Sequence, residues 1–326
     1  MRNIEINLND EEQRIDRFLK KYLDKANSSL IQKFLRTKKI KVNRKKVTSN
    51  YILKKGDIIN IFIYEENLKE LISSKEKKYK FIKKLDIIYE DENIIILNKP
   101  KGLLSHAASK DDYGNNLVDF LIGYLIEKKE FIPRIEKTFV PAIVNRLDRN
   151  TSGVVIGAKN AFSLRELNRI RENCIEKFYV TIVKGTIKKD FVIKEKLEKN
   201  KEKNISSISE NGKDSITEVF VENTKNGFSL LKIKLLTGRT HQIRVHLSSK
   251  NLPIIGDEKY GKNDINKFFK EKFDLKGQFL HARSIRFKNI QGSLSYLNDK
   301  EFLAPLDENY KKIIDEIFNW YIFLGI

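Results

Sequence analysis

The sequence predicts an α+β fold, with a larger domain on a mixed, largely antiparallel sheet and a small N-terminal α+β domain. Three observations predict it. The 326 residues suffice for one medium domain plus a small accessory one. The texture changes near residue 65, from a basic segment of two amphipathic helices and short strands to a charged stretch. From Leu85 onward, short apolar runs of strand length alternate with helical periodicities.

The elements justify this division in order. Between Glu11 and Lys25, residues Ile15, Phe18, Leu19, Tyr22 and Leu23 form one helical face. Ser28 or Ser29 can cap a second helix carrying Leu30, Ile31, Phe34 and Leu35. Lys39 to Asn43 alternates as a short strand, Asn43-Arg44 turns, and Gly56-Asp57 leads into the strand Ile58–Tyr64. Residues 1–65 thus form one domain, and 66–80 read as a partly helical linker. Residues 81–326 form the larger domain, with strands at Ile87–Tyr89, Ile94–Leu97, Val154–Ile156, Tyr179–Val183, Val219–Val221 and Leu230–Leu235. Helices are expected near Leu117–Ile126, Phe162–Arg171 and Gln242–Ser248, and exposed loops and hairpins in the Lys/Asn-rich stretch 184–213.

Charge narrows the function. The chain carries 64 Lys+Arg against 44 Asp+Glu, a net charge of +20, which favours a polyanionic partner. Residues 1–65 hold 16 basic and 8 acidic residues, with no Asp or Glu between Lys25 and Lys54. A solvated face would intersperse acids among Lys33, Arg36, Lys38, Lys39, Lys41 and Arg44, so these bases point to a phosphate-facing surface. The single cysteine, Cys174, allows no internal disulfide and fits a reducing compartment. His241 and His246 stand five apart, not at the helical zinc spacing of four, so no metal site is expected. No signal region or membrane-length apolar run appears, so a cytoplasmic protein without a membrane partner is expected.

Neither a Walker-type loop, a dinucleotide fingerprint nor a Gly-x-Ser-x-Gly elbow is present. Three polar clusters stand where strands begin or end. Arg146-Leu147-Asp148 follows Ala142-Ile143-Val144 and precedes the turn Thr151-Ser152-Gly153. Asp148 reads equally as an ionised carboxylate beside Arg146 and Arg149 or as a turn cap. Thr237 to His246 follows an apolar strand and starts a helix, with Thr240 as a candidate cap. There Arg239 could hold an anion and Arg244 could reach a carboxylate, or both could belong to an ordinary basic helix. Tyr179, at a strand start after Lys177, fits packing as well as a site.

Taken together, these clusters resemble the RluA-type family of RNA pseudouridine synthases. Asn145 to Gly153 resembles its His-Arg-Leu-Asp, two residues, Thr-Ser-Gly signature at every position but the first. Lys177, Tyr179 and Gly185 match a second motif, and Gly238 to Leu247 a third, followed by Pro253, Gly256-Asp257 and Tyr260-Gly261. Tyr89 to Asp91, Leu97 to Pro100, Gly102 and Leu280-His281-Ala282 extend the resemblance over about residues 85–310. Residues 1–65 resemble the small RNA-binding module named after ribosomal protein S-four, through Arg14 to Leu19, Ser29 to Lys33, Ile40 to Asn43 and Leu53 to Asp57. Such a module binds folded RNA by shape and backbone contacts.

The resemblance implies uridine isomerisation in RNA, with large-subunit ribosomal RNA preferred over transfer RNA, no cofactor, and a monomer. It casts Asp148 as nucleophile, Tyr179 as the ring stacked on the flipped uracil, Arg244 as the charge partner of Asp148, and Arg146 as the base-extruding residue. Asn145, Arg239 and His241 join Lys33, Arg36, Lys38, Lys41 and Arg44 as expected RNA contacts. The departure is Asn145, where the family has His; Asn exchanges hydrogen bonds but cannot become cationic. Two rival readings stand beside the synthase: a former synthase that only binds RNA, and a hydrolase in which Asp148 activates water.

Overall fold

The computed structural model describes residues 1–7, 9–72, 84–132, 138–200, 202 and 204–318. Six elements build the N-terminal domain: β1 (Arg2–Glu5), α1 (Ile15–Tyr22), α2 (Ser28–Arg36), β2 (Ile40–Val42), β3 (Ile58–Ile61) and α3 (Glu65–Glu70). The strands form an antiparallel sheet in the order β1-β3-β2. The predicted helical face is buried as expected, with Ile15, Phe18, Leu19 and Leu23 packed against Ile31, Phe34 and Leu35. Val42 and Lys45 exchange two backbone hydrogen bonds around Asn43 and Arg44, both left-handed, which is a two-residue hairpin turn. The α2 cap is Asn27, not Ser28 or Ser29; its side chain accepts from the Leu30 amide at 2.8 Å. Helix α3 occupies the start of the expected linker, and its Leu68 is buried in this core with Leu71 and Ile72 packed against it. Residues 73–80 of that linker lie outside the described residues.

The larger domain contains β4 (Ile87–Glu90), β5 (Ile94–Lys99), α4 (Leu117–Glu127), β6 (Ala142–Ile143), β7 (Ser152–Ala158), α5 (Ala161–Ile170), β8 (Ile175–Lys184), β9 (Phe191–Asn200), β10 (Ile205–Ile208), β11 (Lys213–Lys225), β12 (Phe228–Leu235), α6 (Gln242–Ser249), α7 (Asn263–Phe273), β13 (Leu280–Phe287), β14 (Glu301–Leu303) and α8 (Glu308–Phe318). Its sheet runs β10-β9-β11-β12-β8-β13-β7-β5-β4, with β14 beside β13 and β6 beside β7. Every pairing is antiparallel except β13 with β7. The sheet is therefore mixed and largely antiparallel, as the sequence predicts.

Both faces of the central strands are covered, which explains why β5 and β7 read as continuous apolar runs. Ile95, Leu97 and Val155 face a core shared with α4, α6, α7 and α8. Ile94, Ile96, Val154 and Ile156 face a second core that includes Leu167 and Ile170 of α5. Period-two alternation thus sends successive side chains to different cores. The Lys/Asn-rich stretch does form a hairpin, β9–β10. Among the described residues no helix is long and apolar enough to cross a membrane.

Candidate active site

The parallel joint between β7 and β13 positions the site. Strand β7 meets β13 through His281 opposite Ser152 and Ala282 opposite Gly153, and the loop preceding β7 carries Asp148. Gly153 sits at φ +111°, and a Cβ there would lie 2.2 Å from the Ala282 carbonyl oxygen, so only glycine fits this approach. The loop is fixed from several sides. The Ser105 hydroxyl donates to the Leu147 carbonyl at 2.7 Å and accepts from the Leu147 amide at 3.1 Å. The Thr151 amide donates to the Asp148 carbonyl, closing the turn. Fully buried Lys99, at the end of β5, donates to the carbonyls of Pro100, Leu103 and Arg149. Burial pushes Lys99 down to about 7, against the opposing pull of the Asp148 charge.

Asp148 itself is partly exposed, with its side chain 29% accessible. Arg244 Nη1 donates to its Oδ2 at 2.9 Å. Arg244 lies on α6 and is only 6% exposed. Burial would lower its pKa, but hydrogen bonds and charge from Asp257, then from Asp148, raise it above the ordinary value, so it stays cationic. His241 Nε2 stands 3.8 Å from the same Asp148 oxygen. Burial holds His241 below its ordinary pKa although the Asp148 charge opposes this, so the ring faces Asp148 as neutral imidazole near neutral pH. Tyr179, on β8 opposite Ala282, is 8% exposed. Burial, reinforced by the nearby Asp148 charge, raises its phenol well above the usual range and keeps it protonated.

The structure therefore brings Asp148, Tyr179, Arg244 and His241 together. Arg146 is exposed next to this group, on the Asp148 loop. Arg239 is half-buried and donates through Nε to the Asp214 carbonyl at 3.2 Å. Asn145 spends its carboxamide on β7: Oδ1 accepts from the Ile156 amide at 2.8 Å and Nδ2 donates to the Val154 carbonyl at 3.0 Å. The side chain thus imitates a peptide unit and extends the pairing of β6 beyond Ile143, a task that needs no cationic ring. Thr240 does not cap α6. His241 occupies that position in left-handed conformation, and Gln242 Oε1 accepts from the Arg239 amide instead. In the N-terminal domain Lys33, Arg36, Lys38 and Arg44 are exposed, and Lys41 is half-buried over the Phe62 ring at 5.2 Å.

Sequence reasoning assigned no role to Asp257 and Tyr260. Asp257, fully buried, takes both Nε and Nη2 of Arg244, at 2.7 and 2.8 Å. The Tyr260 ring covers the Arg244 guanidinium at 5.1 Å, and its hydroxyl meets His241 Nδ1 at 2.9 Å. The signal was present in the Gly256-Asp257 and Tyr260-Gly261 pairs, but nothing in their spacing shows which side chain they touch.

Comparison with known proteins agrees with this geometry. The family model described as RNA pseudouridylate synthase matches residues 93–249, and the S4 domain model matches residues 13–59. The ribosomal large subunit pseudouridine synthase C of Buchnera aphidicola subsp. Baizongia pistaciae is 36% identical, over 96% of this chain and 96% of its own. The protein of that name from Pasteurella multocida is 36% identical, over 93% of this chain and 89% of its own. An uncharacterized RNA pseudouridine synthase of Mycoplasma capricolum is 34% identical, over 93% and 97% of the two chains. The solved structure of human RNA pseudouridylate synthase domain containing 4 shares the fold, with a TM-score of 0.53 at 21% identity, over 70% of this chain and 91% of that one. Two relatives above 30% identity along nearly their whole length, together with an ordered site, place the chain in its family: it belongs to the RNA pseudouridine synthases.

Proposed function

We propose that this synthase isomerises uridines of large-subunit ribosomal RNA with Asp148 as nucleophile and without a cofactor. The observation that carries this reading is the Asp148 carboxylate paired at 2.9 Å with buried Arg244, beside protonated Tyr179. A carboxylate bonded to a fixed cationic partner is held in one direction, which a nucleophile requires. Attack by Asp148, on the ribose or on the pyrimidine ring, lets the bond between N1 and C1′ break. The ring then turns, C5 bonds to C1′ and the bond to Asp148 breaks, returning the carboxylate, while the C5 proton leaves and N1 is reprotonated. Nothing is gained or lost overall, so the balance requires no electron or group carrier. In this reading the flipped uracil stacks on the Tyr179 ring and Arg146, which is exposed, fills the gap the base leaves, offsetting about a few kcal/mol of lost stacking. Large-subunit RNA as target rests on relatives named ribosomal large subunit pseudouridine synthase C, which match this chain along nearly its full length.

The test uses purified protein and ribosomal RNA transcripts tritiated at carbon-5 of uridine. Wild-type protein should release tritium, and Asp148→Asn should release none, with RNA affinity within about twofold because one partly exposed acid contributes little to phosphate binding. Tritium release by Asp148→Asn at the wild-type rate would refute the nucleophile assignment. Free uracil and strand scission at an abasic site would instead establish the hydrolase.

A further inference from the structure

Loop 256–261, between β8-facing residues and α7, has no part in the chemistry described above, yet it holds the charge partner of the nucleophile. A guanidinium has five N–H donors on two edges. Asp257 takes one edge of Arg244 through a forked pair, Nε to Oδ2 at 2.7 Å and Nη2 to Oδ1 at 2.8 Å. Tyr260 covers one face at 5.1 Å from the guanidinium carbon. What remains directed at Asp148 is Nη1, at 2.9 Å. Asp257 is in turn fixed by the amides of Lys259 and Tyr260, which both donate to Oδ1, and it is fully buried. Such a buried carboxylate, forked to one cation, costs more to desolvate than an apolar pair of similar volume. Its placement therefore calls for a reason other than stability.

We infer that Asp257 and Tyr260 are positioning residues, a clamp on two sides of Arg244 that leaves one guanidinium nitrogen free and aims it at Asp148. Two consequences follow physically. The clamp removes rotamer freedom from a long side chain, so the Arg244–Asp148 contact is formed before substrate arrives. Asp257 also balances the Arg244 charge, so the nucleophile feels a shared cation, not a full one. Without Asp257, Arg244 would be free to swing and would place its whole charge on Asp148, weakening it as a nucleophile. The clamp reaches further through the Tyr260 hydroxyl. It accepts from the Ser206 amide of β10 at 2.7 Å and stands 2.9 Å from His241 Nδ1. With Nδ1 receiving the Tyr260 proton, the neutral His241 ring carries its own proton on Nε2, the nitrogen that faces Asp148. The β9–β10 hairpin is thereby joined to the catalytic carboxylate through one tyrosine.

This inference rests on Asp148 being the nucleophile, and its test separates the two. Single-turnover tritium release and RNA affinity are measured for wild type, Asp148→Asn, Asp257→Asn, Tyr260→Leu, Arg244→Lys and the two double variants with Arg244→Lys. Asp257→Asn is expected to slow release by about 10- to 100-fold with RNA affinity unchanged within about twofold. A lysine cannot be forked, so in the Arg244→Lys background the same change should cost less than about threefold. Full-rate Asp257→Asn protein would overturn the clamp, as would an equal loss in both backgrounds, which a merely structural role gives. If Asp257→Asn does not fold, Tyr260→Leu decides by the same comparison: loss confined to the Arg244 background supports the clamp, and equal loss in both overturns it. An active Asp148→Asn protein removes the nucleophile itself; an inactive one beside fully active Asp257→Asn removes only the clamp.

Discussion

Residues in this site are constrained by backbone as much as by charge. Gly153 enters β7 at φ +111° with the Ala282 carbonyl where a Cβ would be. Gly153→Ala should lose about 3 kcal/mol or more, because neither the backbone conformation nor the facing strand can yield cheaply. The check is a denaturant titration; a midpoint within error of wild type would show that the β7–β13 joint is looser than its geometry. At this scale the residues alone left Asp148, Tyr179 and Arg244 open; the family resemblance grouped them, and the structure brings the three side chains together. The sequence was uninformative for Asp257, whose partner is chosen by the packing of a loop against α6. For Asn145 it left a structural and an RNA-contacting role open, and the carboxamide bonds to β7, because a carboxamide that completes a strand looks identical in sequence to one that faces solvent.

Elements with strong periodicity were legible, and their ends were not. Helix α1 spans Ile15–Tyr22 within the expected Glu11–Lys25, because the preceding residues turn, with the Asp10 and Glu11 amides bonded to the Asn7 carbonyl. Strands β1, β13 and β14 and helices α7 and α8 were not anticipated. Helix α8 carries Tyr310, Ile313, Ile314 and Ile317 at helical spacing, a face legible in the sequence although no helix was expected there. Among the described residues, the N-terminal domain has its own core, sharing no buried residue with the other two. Its polar contacts to the larger domain include the Ala161 amide donating to Asn9 Oδ1 at 2.9 Å and Arg165 with Glu12 at 3.4 Å. Removing residues 1–72 should therefore leave a folded synthase that binds RNA more weakly. If the exposed Lys33, Arg36, Lys38 and Arg44 face phosphates, the salt dependence should flatten, with the single-turnover rate at saturating RNA falling less than the affinity. An unchanged slope of binding against salt would remove the phosphate-facing role of this domain.

Across the whole molecule, stability should depend on acid through two buried histidines. His246 meets the hydroxyls of Thr217 and Ser215, and His281 meets Ser152 and the Ala304 carbonyl. Burial lowers each from 6.5 to about 4. Below 6.5 the unfolded chain takes up protons that the native state refuses until about 4. Their contribution is therefore complete above 6.5 and is lost as the pH falls from 6.5 to 4, by up to about 3 kcal/mol each. Melting curves should show Tm falling steadily between pH 6.5 and 4.5; a flat Tm over that range would place a proton on both rings in the native state. The fold class itself was legible because apolar runs and helical faces alternate along the chain. The parallel joint that creates the site was not, since β7 and β13 are far apart in sequence and no local pattern records their direction.

Site mapping in cells tests most directly whether Asp148 makes pseudouridine in large-subunit ribosomal RNA. Ribosomal RNA from a strain lacking the gene is compared with RNA from the same strain carrying wild type or Asp148→Asn. Specific pseudouridines of the large-subunit RNA should vanish on deletion, return with wild type and stay absent with Asp148→Asn. Identical pseudouridine maps in all three would contradict the account.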